Sequence, residues 1–285
     1  MENQRVDIAA LYQMKADRQP ITMVTAYDFP TARLAEGAGV DTILVGDSLS
    51  NVVLGYPDTL PVTMDEMLHH LKAVARAVKR AFLIVDMPFM SYNVSPESAL
   101  TNAGRFMKEG SAQAVKIEGG DWVADTAAAM VRAGIPVVGH LGLTPQTAHF
   151  LGGYRAQGRT SDQACAIIGN AERLEQAGCT MLVLECLPDR LASIISKRLR
   201  IPVIGIGAGA GCDGQVLVFH DMLGLDDGFK PKHVKRFAQL GDQARAGLER
   251  YCQEVRSRAF PDAAHSFSIA DEEFAALQAK LGETK

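Results

Sequence analysis

Four short apolar runs in this 285-residue chain end at or beside a carboxylate. They are residues 42–48 (TILVGDS) at Asp47, 82–88 (FLIVDMP) at Asp86, 114–118 (AVKIE) at Glu118 and 181–186 (MLVLEC) at Glu185. Unbroken Ile, Leu and Val of this length read as strands buried on both faces, the kind that parallel sheets contain. An acid at the C-terminal end of such a strand has no packing reason to be there. In open α/β sheets and in (β/α)₈ barrels that end is where ligands bind. Side chains alternate along a strand, so Lys116 shares a face with Glu118 and enters the mouth with it. Asp47, Asp86 and Glu118 would top neighbouring strands, and three carboxylates at close range cannot all stay ionised without a cation. An all-oxygen set suits Mg²⁺, which takes one or two carboxylates plus waters and substrate oxygens. Glu185 and His140 fall further round, across from that cation. A base opposite a Lewis acid is the arrangement that removes a proton α to a carbonyl.

Each of these residues has a plainer reading. A strand-end aspartate can simply cap the next helix, but Asp86 is followed by Met87-Pro88 and its next helix opens only near Pro96. Lys116 could snorkel to the surface, yet Val115 and Ile117 mark its strand as buried. His140 alone fits a hydrogen-bonded core histidine. Asp121 reads as an N-cap and Asp41 as a strand entrance, so neither joins the site. His69 and His70 lie on the flank of a helix and read as inert, while His220 and Asp221 close the eighth strand as weak site candidates. The 207–211 stretch, GAGAG, lacks a clear helix start after it, which favours close packing over a phosphate cradle.

The elements that must position these groups alternate. Strands are expected over residues 21–28, 42–48, 82–86, 114–118, 136–141, 181–186, 201–207 and 215–222. Helices are expected over 6–15, 31–38, 64–78, 96–109, 121–134, 161–177 and 188–199. Thr63 and Glu66 fit a capping box, and Pro96 sits just inside its helix start. The 49–62 connection holds Gly55, Pro57 and Pro61 and reads as irregular. The long polar connection at 142–160, with Tyr154 and Arg155, is expected to cover the site. Strict βα alternation gives a parallel sheet, and eight strands close it into a single TIM barrel. The chain divides into an N-terminal helical segment (1–20), the barrel (21–260) with a helix over 233–258, and a peripheral C-terminal helix and tail (261–285).

Composition narrows the function classes. With 47% hydrophobic and 22% charged residues the chain can build a large core, and a net charge of −4 gives no case for binding nucleic acid or an anionic membrane. No apolar run reaches the roughly 18 residues of a membrane span. The first residues lack the basic and apolar regions of a signal peptide. Five cysteines without CxxC spacing imply reduced thiols and no zinc site. A cytoplasmic protein is expected.

Taken together, TAYD (25–28), LVGDS (44–48), VLGYPDTLPVTMDEM (53–67), DMPF (86–89), VKIEGG (115–120), GIPVVGHLGLTPQ (134–146), LVLEC (182–186) and IPVIGIGAG (201–209) resemble the ketopantoate hydroxymethyltransferase family, in the family's order. Ser50-Asn51 departs from the Gly-Met common there and touches no expected ligand. The resemblance implies a (β/α)₈ barrel of the phosphoenolpyruvate/pyruvate type. It implies transfer of a hydroxymethyl group from 5,10-methylenetetrahydrofolate to 3-methyl-2-oxobutanoate, giving 2-dehydropantoate for pantothenate and coenzyme A synthesis. By the same resemblance Asp47, Asp86 and Glu118 form the site of one Mg²⁺ per subunit, Asp47 and Asp86 holding the ion with Glu118 close by or bound through water, Ser48 and Lys116 contact the oxo acid, and Glu185 is the base. His140, placed across from the metal, joins Asp47, Ser48, Asp86 and Lys116 in the expected substrate-binding set. A homodecamer is implied as well. Two alternatives stand beside this reading. One is a Mg²⁺-dependent carbon–carbon lyase or mutase on the same barrel, whose KKCGH-like loop does not occur here. The other is a non-catalytic scaffold, for which losing Glu185 would affect stability alone.

Overall fold

The computed structural model describes residues 5–225 and 231–282. Asp7 caps α1 (Ile8–Ala16), its carboxylate accepting the Ala10 N–H at 2.8 Å. Val6 and Leu11 pack with the inward-facing strand residues, so α1 covers the barrel's N-terminal end, where Lys15 pairs with Asp213 at 2.6 Å. β1 (Ile21–Thr25) leads to α2 (Phe29–Gly37), which Asp28 and Thr31 open with a reciprocal capping box. β2 (Thr42–Val45) ends before Gly46, three residues short of the sequence expectation. The connection read as irregular holds a single turn, α3 (Leu49–Val52), ahead of its Gly and Pro residues. Thr63 and Glu66 form the expected box at the start of α4 (Met64–Ala77), which buries Met67, Leu68, Leu71, Val74 and Ala77 along one face.

β3 (Phe82–Asp86), α5 (Pro96–Gly110) and β4 (Ala114–Glu118) follow. Pro96 sits in the first turn of α5 as expected, with Ser95 capping it, and the helix ends on left-handed Ser111. α6 (Asp121–Arg132) corrects another expectation: Gly120 is its cap, and the Asp121 carboxylate instead pairs with Arg173. β5 (Val137–Gly142) precedes the long connection, which contains a 3₁₀ turn at Pro145–Thr147. Then come α7 (Ser161–Gln176), β6 (Met181–Glu185), α8 (Asp189–Arg198), β7 (Val203–Ile206) and β8 (Gly214–Leu217). β8 stops five residues early, so His220 and Asp221 lie on α9 (Phe219–Leu223) and not on a strand. Gly209 and Gly211 approach Asp189 and Ser193 on α8 so closely that a Cβ at either would collide, which is the packing role expected of that stretch.

The eight strands run parallel in chain order and close, β8 pairing with β1. Alternation sets the site. Phe82 and Ile84 on β3, Ala114 on β4, Val138 on β5, and Met181 and Val183 on β6 fill the interior. Leu83, Val85, Val115 and Val137 face the helices. Continuing each inward series by two residues gives Asp86, Lys116 and then Glu118, His140, and Glu185. The charged groups are therefore the uppermost inward layer, and the apolar layers beneath keep water from their floor.

The chain divides into two compact units, residues 1–237 and 238–285. The unit containing the barrel ends at Phe237, whereas the sequence reading carried the barrel to residue 260. The second unit holds α10 (Leu240–Ser257), which begins seven residues later than expected, and α11 (Asp271–Leu281). The five cysteines are unpaired. Among the described residues no helix is long and apolar enough to cross a membrane.

Candidate active site

A cavity of 1130 Å³ opens at the C-terminal end of the strands. Asp47, Ser48, Asp86, Lys116, Glu118, His140 and Glu185, the whole set expected from sequence, line this one space. Asp221 also lines it; His220 packs on Tyr27, with ring centroids 5.4 Å apart. Tyr154, Arg155 and Arg159 reach the cavity from the long connection after β5. Apolar wall is supplied by Leu44, Val183, Ile206 and Val216.

The polar floor is a connected chain of charges. Lys116 Nζ lies 3.1 Å from Asp86 Oδ1 and 3.5 Å from Glu118 Oε1. The register Asp86↔Lys116 and Glu118↔His140 brings these side chains level on adjacent strands. His140 Nδ1 sits 3.1 Å from Glu118 Oε1 and 3.2 Å from Lys116 Nζ. Its other nitrogen, Nε2, is 3.3 Å from Glu185 Oε2, an ion-pair contact without the alignment of a hydrogen bond. Glu185 is 16% exposed and opens to the cavity, while Lys116, Glu118 and His140 are buried. The Asp47 N–H donates to Asp86 Oδ2 at 3.0 Å, tying the turn after β2 to the end of β3. Ser48 Oγ is 2.8 Å from the Tyr27 hydroxyl, whose ring is buried under the site.

Burial and mutual charge divide the acids. Burial raises the Asp47 carboxyl well above its ordinary range, and the neighbouring Asp86 and Glu118 charges add to this. Asp86 is raised too, again mainly by burial, with Lys116 opposing. Burial would also raise Glu118, but the Lys116 and His140 charges and its hydrogen bonds outweigh that and hold it below its usual value. Lys116 is held protonated: burial works against its charge, and Asp86, Glu118 and Asp47 more than offset it. Burial and Lys116 oppose charge on His140, yet Glu118 and Glu185 raise it to about 9. At neutral pH an imidazolium thus bridges Glu118 and Glu185, its Nδ1–H donating to Glu118.

The carboxylates differ in what they have left to offer a cation. Both Glu118 oxygens are engaged, Oε1 by His140 and Lys116 and Oε2 by the Gln146 N–H at 3.0 Å. Asp86 Oδ1 pairs with the Lys116 ammonium at 3.1 Å without hydrogen-bond alignment and its Oδ2 accepts the Asp47 N–H, whereas Asp47 Oδ1 has no protein donor among the described residues. No group of three or more His, Cys, Asp or Glu among the described residues is disposed to hold a metal ion by itself. Adjacent raised carboxylates, one with an oxygen open to the cavity, are the kind of donors that suit a hard cation completing its shell with water and substrate.

Sequence reasoning passed over Gln146 and Tyr92, two buried residues bonded to this floor. The signal for Gln146 was its place, a polar residue beside Pro145 in a connection too long to be a plain linker. His70, read as inert, donates from Nδ1 to the Tyr27 carbonyl (2.6 Å), while His69 is exposed.

Comparison with known proteins supplies an independent finding. The family model described as ketopantoate hydroxymethyltransferase matches residues 5–263. A 3-methyl-2-oxobutanoate hydroxymethyltransferase from Moorella thermoacetica is 56% identical over 266 residues, covering 93% of this chain and 99% of the relative. One from Thermoanaerobacter pseudethanolicus is 53% identical over 270 residues, 95% of this chain and 98% of the relative. Among solved structures, a phosphonopyruvate hydrolase superposes with TM-score 0.60 at 15% identity, covering 96% and 98% of the two chains. A 2,3-dimethylmalate lyase of the PEP mutase/isocitrate lyase superfamily gives TM-score 0.58 at 16% identity, covering 99% and 97%. These structural likenesses concern the fold.

Proposed function

The chain belongs to the ketopantoate hydroxymethyltransferase family, and from that premise we propose how its residues transfer a hydroxymethyl group to 3-methyl-2-oxobutanoate, forming 2-dehydropantoate. The observation that carries the proposal is the polarity of the floor. Two adjacent carboxylates, Asp47 with Oδ1 free of protein donors and Asp86 tied to it through the Asp47 N–H, occupy one side, and Glu185, held by His140, occupies the other.

Asp47 and Asp86 would hold a Mg²⁺ ion, with Glu118, bonded to the Gln146 N–H and His140, close beside them. When bound there, the ion supplies Lewis-acid polarisation of the 2-oxo group. The Lys116 ammonium, fixed between Asp86 and Glu118, adds positive charge where the oxo oxygen gains negative charge. Ser48, oriented by Tyr27, donates to the oxo acid. Glu185 takes the proton from C3, and the His140 imidazolium holds its Oε2 so that Oε1 is the oxygen presented to substrate. The enolate carbon forms the new C–C bond to the methylene carbon of 5,10-methylenetetrahydrofolate and water supplies its hydroxyl, while both C–N bonds of that carbon break; the proton taken by Glu185 and one from water go to N5 and N10, and tetrahydrofolate leaves. Tyr154, Arg155 and Arg159 stand at the cavity where the bulky donor must enter. We place the reaction in the cytoplasm as the first committed step toward pantothenate, in a homo-oligomer.

The assay is product formation from 3-methyl-2-oxobutanoate and 5,10-methylenetetrahydrofolate, read by mass spectrometry with and without Mg²⁺. A product heavier than the oxo acid by one CH₂O, dependent on both the folate and the ion, is expected. Conversion without the folate would contradict one-carbon transfer and favour lyase or mutase chemistry on the shared barrel.

A further inference from the structure

Gln146 is 3% exposed and reaches the floor from the 3₁₀ turn after β5. Its Nε2 donates to Asp47 Oδ2 and to the Met87 carbonyl, both at 2.9 Å. Its Oε1 accepts from the Tyr92 hydroxyl at 2.7 Å, and its backbone N–H donates to Glu118 Oε2 at 3.0 Å. Tyr92 is fixed in turn, its hydroxyl accepting the Glu118 N–H at 3.1 Å. Both amide protons and the amide oxygen are thereby used. Turning the amide over would set oxygen against oxygen at Asp47 and Met87, so only one orientation satisfies all three partners.

The choice of residue type matters as much as the fit. A lysine or arginine against Asp47 would orient the carboxylate but cancel its charge. An apolar side chain would fill the space and leave Asp47 Oδ2 without a donor in a buried site. A carboxamide is a neutral donor: it holds Oδ2 and leaves the full negative charge to act through Oδ1. Replacing a group that orients a ligand in this way typically costs about 10–100-fold in metal affinity.

We propose that Gln146 is a positioning residue for the cation site, presenting Asp47 through Oδ1, and that Tyr92 fixes Gln146 in that role. The inference rests on the assignment of a divalent cation to Asp47 and Asp86. It is tested on the full chain without substrate, by electron paramagnetic resonance titration with Mn²⁺ as the probe. The proteins compared are wild type, Gln146→Met, Tyr92→Phe, their double variant and Asp47→Asn, each checked for cooperative thermal unfolding. Gln146→Met is expected to weaken Mn²⁺ binding by about tenfold or more while still folding. Tyr92→Phe should weaken it on the order of threefold, the effect of one hydrogen bond a step removed. The double variant should be no weaker than Gln146→Met alone, because the two act through one contact. Wild-type affinity in Gln146→Met and Tyr92→Phe, with binding lost in Asp47→Asn, would overturn the role of Gln146 and spare the cation site. Wild-type affinity in Asp47→Asn would overturn the cation assignment and the inference with it. Should Gln146→Met fail to fold, Tyr92→Phe decides: unchanged affinity overturns the proposal.

Discussion

Removing the Lys116 ammonium would leave Asp86 and Glu118 buried beside each other without their shared countercharge. Lys116→Met is therefore expected to cost about 3–5 kcal/mol of stability at neutral pH, the range for breaking a buried ion pair from one side. Urea unfolding measures this, and the penalty should shrink in acid as the orphaned carboxyls take up protons. His140 gives a second residue-scale expectation, for the metal-free protein. Its pKa rises from 6.5 to about 9 in the folded state, so folding favours its proton. The resulting stabilisation is complete below about pH 6.5 and fades as pH climbs through about 9. The stability difference between wild type and His140→Gln should accordingly narrow over that interval. A difference that widened toward alkaline pH would mean that His140 is neutral in the fold.

The elements show why some of this was legible in the sequence. Asp86, Lys116, Glu118, His140 and Glu185 were readable because strand parity and an apolar prefix fix which way each points. The capping box at Thr63 and the helix start at Pro96 were readable because they are local in sequence. What failed was local evidence overruled by closure. The apolar tail of the eighth strand, Val218–Phe219, serves α9 instead because β1 offers partners only as far as Leu217. Gln146 stayed hidden because its partners come from β4 and the segments after β2 and β3, which no spacing rule connects. Gly142 shows what closure demands of backbone. At φ 97 it lies where a Cβ would strike the Glu185 carbonyl oxygen, and Leu143 N–H bonds that same oxygen at 2.9 Å. Gly142→Ala should destabilise by about 1–3 kcal/mol, the cost of a strained backbone position. It should also slow turnover by displacing Glu185, with Mn²⁺ affinity unchanged.

For the whole molecule, the raised Asp47 and Asp86 carboxyls imply a linkage between protons and cation. The folded state holds these protons more tightly than the unfolded chain, so ionising them costs stability as pH rises, and a cation bound there relieves that cost. Saturating Mg²⁺ should raise the melting temperature, by the equivalent of about 2.7 kcal/mol at a hundred times Kd. The rise should be larger at pH 8 than at pH 5, where protons compete for the same oxygens. Assembly belongs to the same scale. α10 buries none of its residues and exposes Leu248, Tyr251 and Val255, an apolar face consistent with the homo-oligomer we propose. Light scattering should give a mass several times the 30.7 kDa of one chain. The reaction itself is tested most directly by its first half alone. Wild-type protein and Glu185→Gln would each be incubated with 3-methyl-2-oxobutanoate in D₂O, with and without Mg²⁺, and the C3 proton followed by NMR. Exchange in wild type that requires the ion and falls by about 10²–10⁴-fold in Glu185→Gln is the expected result for a general base. Exchange in Glu185→Gln at the wild-type rate, or none in wild type with Mg²⁺ present, would contradict proton abstraction by Glu185.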